Sequence, residues 1–284
     1  MALLPQEDFL SLSPFFSTKT GKTVVKILRS TILPSFQKLY EGNEQYSGEE
    51  FAQKVLETQG LDYLVGGTDV LGNLPEGPFI TISNHPYGGI DGLVLVDLVR
   101  HIRPDFKVMV NKILALIHPL EEAFISVVPN GDNVSRPKTE SISGVRKALS
   151  HLRDDHPLGL FPAGAVSDLS LKERKVRDRE WQEPAIRLIM KAGVPVVPVR
   201  FFDRNTAFFY LLGLIDWRIR LLRLPKEVTN KGGKILRVAF GPVISPEKQA
   251  SFGNDTDSFG KFLRESVYGM PLPDKFIKRS ELCL

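Results

Sequence analysis

A histidine and an aspartate share a glycine-rich segment, Asn84-His85-Pro86-Tyr87-Gly88-Gly89-Ile90-Asp91-Gly92. A neutral imidazole accepts a proton near neutral pH, and a nearby carboxylate can orient the ring and stabilise the imidazolium that forms. The apolar run 79–82 precedes this segment and predicts a strand, so the segment connects a strand to a helix, where many α/β proteins build their sites. His85 is therefore the candidate general base, and Asp91 is the group that orients it.

Short apolar runs alternate with helical patterns along most of the chain. Buried strands are predicted at 79–83, 106–110, 124–128, 158–161, 194–201 and 235–240. Apolar residues at helical spacing predict one helix from near Thr139 to before Pro157, and another from near Pro184 to Gly193. This alternation predicts an α/β fold, a mainly parallel central sheet flanked by helices, with an N-terminal helical segment.

Four chemically interesting segments follow predicted strands. His85 follows one strand, 129–131 a second and Phe161-Pro162-Ala163-Gly164 a third, while 198–200 lies near the end of a fourth. The carboxyl ends of parallel strands share one edge of a sheet, so these segments are expected to converge on one cleft.

The first 60 residues read as helices, with Pro34 as a break and 42–47 as a turn-rich link. We predict an N-terminal helical segment at 1–60, followed by the α/β domain at 61–284. The segment either packs as a helical layer on the core or, through its basic face, acts as a membrane-surface or lid element.

Composition excludes several classes of protein. The 284 residues, 42% apolar, can bury a full core, and the net charge of +4 attracts anionic surfaces only mildly. No basic stripe with interleaved aromatics is present, so a nucleic-acid partner is not expected. The single cysteine, Cys283, excludes an intrachain disulfide framework, and the remaining histidines lack ligand spacing, so no metal is expected.

The start of the chain shows no secretory signal, and the longest dense apolar run, 208–215, is too short to span a bilayer. We therefore expect a cytoplasmic protein that lies on the inner face of the cell membrane. Residues 208–220 mix aromatics, aliphatics and arginine as interfacial helices do, and Arg218, Arg220 and Arg223 are candidate lipid contacts. Burial of this segment in the core is the alternative.

The chain resembles the glycerolipid acyltransferase superfamily, which includes 1-acyl-glycerol-3-phosphate and glycerol-3-phosphate acyltransferases. Its first motif, Asn-His followed by four residues and Asp, is similar to Asn84-His85 through Asp91, with one extra residue that Gly88-Gly89 can absorb. Its fourth motif, an apolar strand rich in Val and Pro, is similar to 194–199.

Two further motifs are met in part. The third, Phe-Pro-Glu-Gly-x-x-Ser, is matched by Phe161, Pro162, Gly164 and Ser167, with Ala163 in place of Glu. The second, Gly-x-x-Phe-Ile-x-Arg, survives as Phe124-Ile125, with Glu121 at its Gly and Val127 at its Arg. The resemblance extends over roughly residues 60 to 245.

The resemblance implies an enzyme that moves a fatty acyl group from acyl carrier protein or coenzyme A to a lysolipid hydroxyl, with no permanently bound cofactor. His85 would act as base and Asp91 would orient it. Backbone N–H groups at Gly88-Gly89, or the ammonium group of Lys112, would stabilise the developing oxyanion. The implied substrate-binding residues are Asn84, Gly88, Gly89, Lys112, Phe161, Pro162, Gly164 and Ser167.

Within the superfamily, the variant first motif, the Phe-Pro-Ala-Gly turn, Asp178-Arg179-Glu180-Trp181 and Arg204-Asn205-Thr206 resemble the bacterial haemolysin-like O-acyltransferases that complete ornithine and glycine lipids. In the superfamily, the second-motif Arg and third-motif Glu are associated with glycerol phosphate, and a phosphate favours an Arg fork. Val127 and Ala163 therefore favour the free hydroxyl of an N-(3-hydroxyacyl) amino-acid lipid as acceptor. A lysophosphatidate acyltransferase and a catalytically silent lipid-binding scaffold remain alternatives.

Overall fold

The computed structural model describes residues 23, 26, 41–111, 117–127, 139–215, 220, 223, 224, 226, 227 and 230–284. The strands in this part of the chain are β1 (Leu64–Gly66), β2 (Ile80–Ser83), β3 (Lys107–Asn111), β4 (Phe124–Val127), β5 (Leu158–Leu160), β6 (Asp168–Ser170), β7 (Lys175–Arg177), β8 (Val196–Phe201), β9 (Arg237–Phe240) and β10 (Ile277–Lys278). The helices are α1 (Gly48–Thr58), α2 (Thr68–Gly72), α3 (Gly89–Arg100), α4 (Thr139–Arg153), α5 (Glu183–Ala192), α6 (Ala207–Ile215), α7 (Pro246–Ala250) and α8 (Thr256–Tyr268), with 3-10 turns at His118–Ala123 and Arg279–Glu281.

One mixed sheet organises the protein, in the strand order β10-β1-β9-β8-β2-β5-β3-β4. The run β8-β2-β5-β3-β4 is parallel throughout, whereas β9 is antiparallel to β8 and β10 is antiparallel to β1. A separate antiparallel hairpin joins β6 to β7. The predicted α/β fold with a mainly parallel sheet is confirmed.

All six predicted strands are present, with ends displaced by one or two residues. The strands β1, β6, β7 and β10 were not predicted, because runs of two or three residues are too short to show a periodicity. The predicted helices correspond to α4 and α5, and α5 ends at Gly193, whose φ of 61° suits a glycine C-cap.

The core lies on both faces of the sheet because successive strand residues point to opposite sides. Val196 packs with α4, α5 and α8 on one face, whereas Val197 packs with α1 and α3 on the other. This arrangement covers both faces of the parallel strands with helices, as a buried parallel sheet requires.

Within the predicted N-terminal segment, α1 packs on α3 through the buried Phe51 and Val55, and Glu49 pairs with Arg100 at 2.8 Å. Apart from Thr23 and Lys26, residues 1–40 lie outside the described residues, so the division at residue 60 stays a prediction. Among the described helices, none is long and apolar enough to cross a membrane.

Candidate active site

The His85 segment lies at the edge of the sheet where its central strands end. β2 pairs in parallel with β5 on one side and β8 on the other, so the turns that follow these three strands meet. The predicted convergence is confirmed for the segments after β2 and β5, whereas residues 198–200 lie within β8, which ends at the same edge of the sheet. The fourth expected segment, 129–131, and the implied oxyanion donor Lys112 lie outside the described residues.

His85 and Asp91 face each other across the start of α3. Nδ1 of His85 lies 2.9 Å from Oδ2 of Asp91, although the ring is not aligned for an ideal hydrogen bond. The carboxylate is fully buried, while the imidazole keeps 15% of its surface exposed. Because Nδ1 faces the carboxylate, Nε2 is the ring nitrogen that remains for a substrate proton.

The Asp91 carboxylate also holds the turn that precedes the helix. Its Oδ2 accepts hydrogen bonds from the backbone N–H groups of Tyr87, at 2.9 Å, and Gly88, at 3.0 Å. Burial raises the pKa of Asp91, and the contacts with His85 and these two N–H groups offset part of the rise. The Gly88 N–H group therefore donates to the carboxylate, and of the two predicted backbone donors to the oxyanion, Gly89 remains the candidate.

The two glycines of the turn have different environments. Gly88 has a φ of 82°, and a Cβ atom there would lie 3.2 Å from side-chain atoms of Leu224 and Val166, so the position requires glycine. A Cβ atom at Gly89 would meet nothing within 4 Å, so there is free space beside this residue. The first N–H groups of a helix have no intrahelical acceptor, so those of Gly89 and Ile90 are the candidate donors to a developing anion.

The backbone of His85 is fixed on both sides by the segment that follows β5. Its N–H group donates to Oδ1 of Asp178 at 3.1 Å, and its carbonyl accepts from the Ser167 N–H group at 2.9 Å. The Ser167 hydroxyl donates to the same Asp178 oxygen at 2.5 Å. The Trp181 indole N–H donates to the other Asp178 oxygen at 3.2 Å. Ser167 is 1% exposed, so this geometry favours a positioning role over direct contact with substrate.

The Phe161-Pro162-Ala163-Gly164 turn supports the imidazole. The Phe161 ring centroid lies 4.1 Å from that of His85, at an interplanar angle of 33°. The rest of the turn is tied to Gln182, whose backbone N–H donates to the Pro162 carbonyl at 2.9 Å and whose side chain leaves no room for a Cβ at Gly164. Within this turn Phe161 therefore stacks against the imidazole, while Pro162 and Gly164 shape the turn.

Asn84 joins the turn that carries His85 to the neighbouring strand β8. Its carboxamide donates to the Phe201 carbonyl and accepts from the Phe201 N–H group, each at 2.8 Å. The side chain is almost fully buried. Both polar ends of the carboxamide are thus used within the protein, which favours a positioning role rather than contact with substrate.

A buried polar network holds Pro86, the residue after His85. The Pro86 carbonyl accepts from the Asn205 side chain at 3.1 Å and from the Tyr210 hydroxyl at 3.0 Å. The Lys231 ammonium donates to Asn205 Oδ1 at 2.6 Å and lies 4.8 Å from the Tyr87 ring centroid. Burial lowers the pKa of Lys231, and the buried carboxylate of Glu227 opposes this shift.

These features accompany a match to a protein-family model described as Acyltransferase, which extends over residues 20–270. The chain belongs to this acyltransferase family. The resemblance seen in the motifs is thereby confirmed, and the protein is an acyltransferase.

Curated relatives cover most of this acyltransferase. A lyso-glycine lipid O-acyltransferase from Bacteroides thetaiotaomicron is 28% identical over 228 residues, which are 77% of this chain and 76% of the relative. Another, from Phocaeicola vulgatus, is 26% identical over 227 residues, 77% of this chain and 74% of the relative. Among solved structures, the 1-acyl-sn-glycerophosphate acyltransferase PlsC from Thermotoga maritima gives a TM-score of 0.49 and 16% identity, with 92% of this chain and 91% of that chain covered.

Several supporting residues of the acyltransferase site were not assigned roles from sequence. Asp178 and Asn205 stand in two of the segments that resembled the amino-acid lipid branch, which was the available signal. Lys231 and Glu227 gave no signal, because a lysine and a glutamate in a polar region are normally solvated.

One sequence-based interpretation is wrong. Arg220 is not a lipid contact, because it is 3% exposed and donates to the carbonyls of Ser167 and Val166 and to the Asp168 carboxylate. Arg223 pairs with Glu227 at 3.4 Å and is partly exposed, and Arg218 lies outside the described residues. In the part of the acyltransferase that the structure describes, no group of three or more His, Cys, Asp or Glu side chains is placed to hold a metal.

Proposed function

We propose that this acyltransferase moves a fatty acyl group from a thioester of acyl carrier protein or coenzyme A to the hydroxyl of a lyso-amino-acid lipid, with a lyso-glycine lipid as the acceptor. The observation that carries the proposal is the His85–Asp91 pair at the open N-terminus of α3, with 2.9 Å between Nδ1 and Oδ2. The names of both curated relatives support the choice of acceptor.

His85 activates the acceptor in this proposal. Nε2 removes the hydroxyl proton as the hydroxyl oxygen attacks the thioester carbonyl carbon, and the C–O bond forms. The buried Asp91 carboxylate keeps the proton on Nδ1 and stabilises the resulting imidazolium. The charge that develops on the carbonyl oxygen is met by the N–H groups of Gly89 and Ile90 at the positive end of α3.

The tetrahedral intermediate then collapses to the ester. The C–S bond breaks, and the thiolate of the donor receives the proton that the imidazolium holds. The products are the diacyl lipid and the free thiol of the carrier, and His85 returns to its neutral form. This direct transfer needs no acyl-enzyme, which agrees with the burial of the Ser167 hydroxyl against Asp178.

Two substitutions in the family motifs support an acceptor without a phosphate monoester. Val127 ends β4 where the second motif has Arg, and Ala163, 3% exposed, stands where the third motif has Glu. A dianionic phosphate is recognised best by a guanidinium fork, whereas the single carboxylate of a glycine lipid demands less charge.

The purified protein tests this proposal directly. We expect transfer of an acyl chain to an N-(3-hydroxyacyl) glycine lipid, and slower transfer to lysophosphatidic acid, when acyl-carrier-protein and coenzyme A thioesters are each offered. Preference for lysophosphatidic acid would contradict the acceptor assignment. Lyso-ornithine lipid is the third acceptor to be tested. Preference for it would support a lyso-amino-acid lipid as the acceptor but would contradict glycine as its headgroup.

The His85→Ala variant tests the proposed role of His85 as the general base. We expect its transfer rate to fall by about 10²- to 10⁴-fold, because general-base catalysis contributes that much. The matched control is His118→Ala, since His118 is 82% exposed in a 3-10 turn away from the site. Unchanged transfer by the His85 variant would contradict the proposed mechanism.

A further inference from the structure

Helix α6 exposes a broad apolar face next to the candidate site. Four large side chains form this α6 face, namely Phe208, Leu211, Leu214 and Ile215, with exposed fractions of 53%, 53%, 44% and 75%. At 100° per residue, they occupy about one third of the helix circumference. A contiguous exposed apolar patch marks an interaction site, whereas single exposed apolar residues do not.

The opposite side of α6 contacts the catalytic turn. The Tyr210 hydroxyl donates to the Pro86 carbonyl at 3.0 Å, and Phe209 is completely buried in a small cluster with Val166. Whatever contacts the α6 face is therefore one helix diameter, about 10 Å, from the turn that carries His85.

The surroundings of the α6 face are cationic. The Arg223 guanidinium lies 5.1 Å from the Phe208 ring centroid, and exposed Arg204 precedes the helix. The hairpin β6–β7 packs against the buried Phe209 and Tyr210 of α6, and its turn carries exposed basic residues at Lys172, Arg174 and Lys175 with one acid, Glu173. The helix itself carries no charged residue. Apolar side chains bordered by cations match the boundary between acyl chains and anionic headgroups of a bilayer.

We propose that the α6 face inserts into the surface of an anionic lipid bilayer and brings the His85 turn to the membrane from which the acceptor arrives. The choice of a bilayer as occupant rests on the proposed function, because a lysolipid acceptor resides in a membrane. The binding itself is measurable without turnover, so failure of one proposal is distinguishable from failure of the other.

A single fluorescent label tests the insertion. In a Cys283→Ser background, Leu211→Cys is labelled with an environment-sensitive dye and mixed with vesicles of phosphatidylethanolamine and phosphatidylglycerol. We expect the emission to shift to shorter wavelength and to be quenched by brominated acyl chains. Val243→Cys is the control, because Val243 is exposed but lies at the opposite edge of the sheet. Its neighbour Ile244 pairs with Val196, the first residue of β8.

Three outcomes would overturn the proposal. No response to vesicles would show that the helix does not insert. If the emission is already at short wavelength without vesicles, and at every protein concentration, another part of this chain covers the α6 face. A shift that depends on protein concentration would show that a second copy covers it.

A pair of charge substitutions provides a second measurement. Leu211→Glu with Ile215→Glu is expected to weaken vesicle binding by about tenfold or more, since each exposed aliphatic side chain loses its burial in lipid. Transfer to a short-chain, monomeric lysolipid is expected to persist in this variant, whereas transfer to vesicle-borne lysolipid falls. Equal vesicle binding by this variant and by Val243→Glu would also overturn the proposal.

Discussion

The N–H group of His85 donates to the carboxylate of Asp178 across 3.1 Å, although the two residues belong to segments after different strands. The same carboxylate oxygen accepts from Ser167, whose own N–H group donates to the His85 carbonyl. The proposed general base is thus held by its backbone from the β5 side, and by its side chain from Asp91. A base held from two independent segments keeps its ring in one orientation, which efficient proton transfer requires.

Asp178→Asn tests this backbone support. An amide has one acceptor oxygen, so it cannot serve His85 and Ser167 on one side and Trp181 on the other, and a donor is left unpaired. We expect a loss of about 1–3 kcal/mol in the free energy of unfolding. We also expect a lower kcat with little change in KM, since the Asp178 carboxylate is buried against His85, Ser167 and Trp181. Denaturant titration and steady-state kinetics at a temperature where the variant stays folded measure both effects.

Ser167→Ala is the companion to that variant. It removes one donor but leaves the His85 N–H on Asp178, so a loss of about 1 kcal/mol and a nearly unchanged kcat are expected. A large rise in the KM for the acceptor would instead assign Ser167 to substrate binding, as the family motif implies.

Asp91→Asn is expected to lower the transfer rate without lowering the stability of the protein at neutral pH. Burial raises the pKa of Asp91, so this carboxyl group ionises at a lower pH in the unfolded chain than in the folded protein. As the pH rises, the penalty of holding a buried charge therefore lowers the free energy of unfolding. That penalty is absent well below about pH 4 and grows as the pH rises above it. The amide oxygen can still accept from Tyr87 and Gly88, so the turn persists.

We therefore expect the Asn variant to be at least as stable as the parent at pH 7, with the advantage shrinking toward pH 4. Its transfer rate is expected to fall by about 10²-fold or more, because the imidazolium loses its counter-charge. Unfolding curves at several pH values provide the check. If the stability advantage of the Asn variant grew as the pH falls, the pKa of Asp91 would not be raised by folding.

Gly88→Ala and Gly89→Ala form a matched pair of neighbouring substitutions. At Gly88 the positive φ and the nearby Leu224 and Val166 oppose a methyl group, so we expect a loss of about 1–3 kcal/mol in stability. At Gly89 the methyl group enters open space, so the fold should be retained while transfer slows, because the methyl partly fills the proposed oxyanion site. Melting temperatures and transfer rates of both variants measure these effects. Equal destabilisation by the two substitutions would contradict the difference expected between Gly88 and Gly89.

Lys231→Met tests the buried network under Tyr87. The substitution leaves Asn205 Oδ1 without its cationic donor and weakens the compensation of the buried Glu227 charge. We expect a loss of about 3 kcal/mol in stability, as for other buried pairs that lose one partner. A lower kcat should accompany it, because Asn205 holds the Pro86 carbonyl. Lys234→Met, at an exposed lysine nearby, is the control and should change neither quantity.

The local sequence determined much of this protein. Strand periodicity, the cap at Gly193 and the order of motifs predicted the main strands of the sheet, two helices and the edge at which His85 lies, because these depend on spacing along the chain. The His85–Asp91 pairing also follows from one short segment, since a turn and the first residues of a helix bring them together.

The tertiary structure decided which polar residues hold that segment and which meet solvent. Asp178, Asn205 and Lys231 reach the His85 turn from distant parts of the chain. Arg220 is buried, while the neighbouring α6 face is exposed. Local periodicity does not show which of these side chains are buried, because burial of a charge depends on partners supplied by other segments. The sequence alone therefore predicted that His85 and Asp91 pair, and only the packing of the chain revealed the residues that support them.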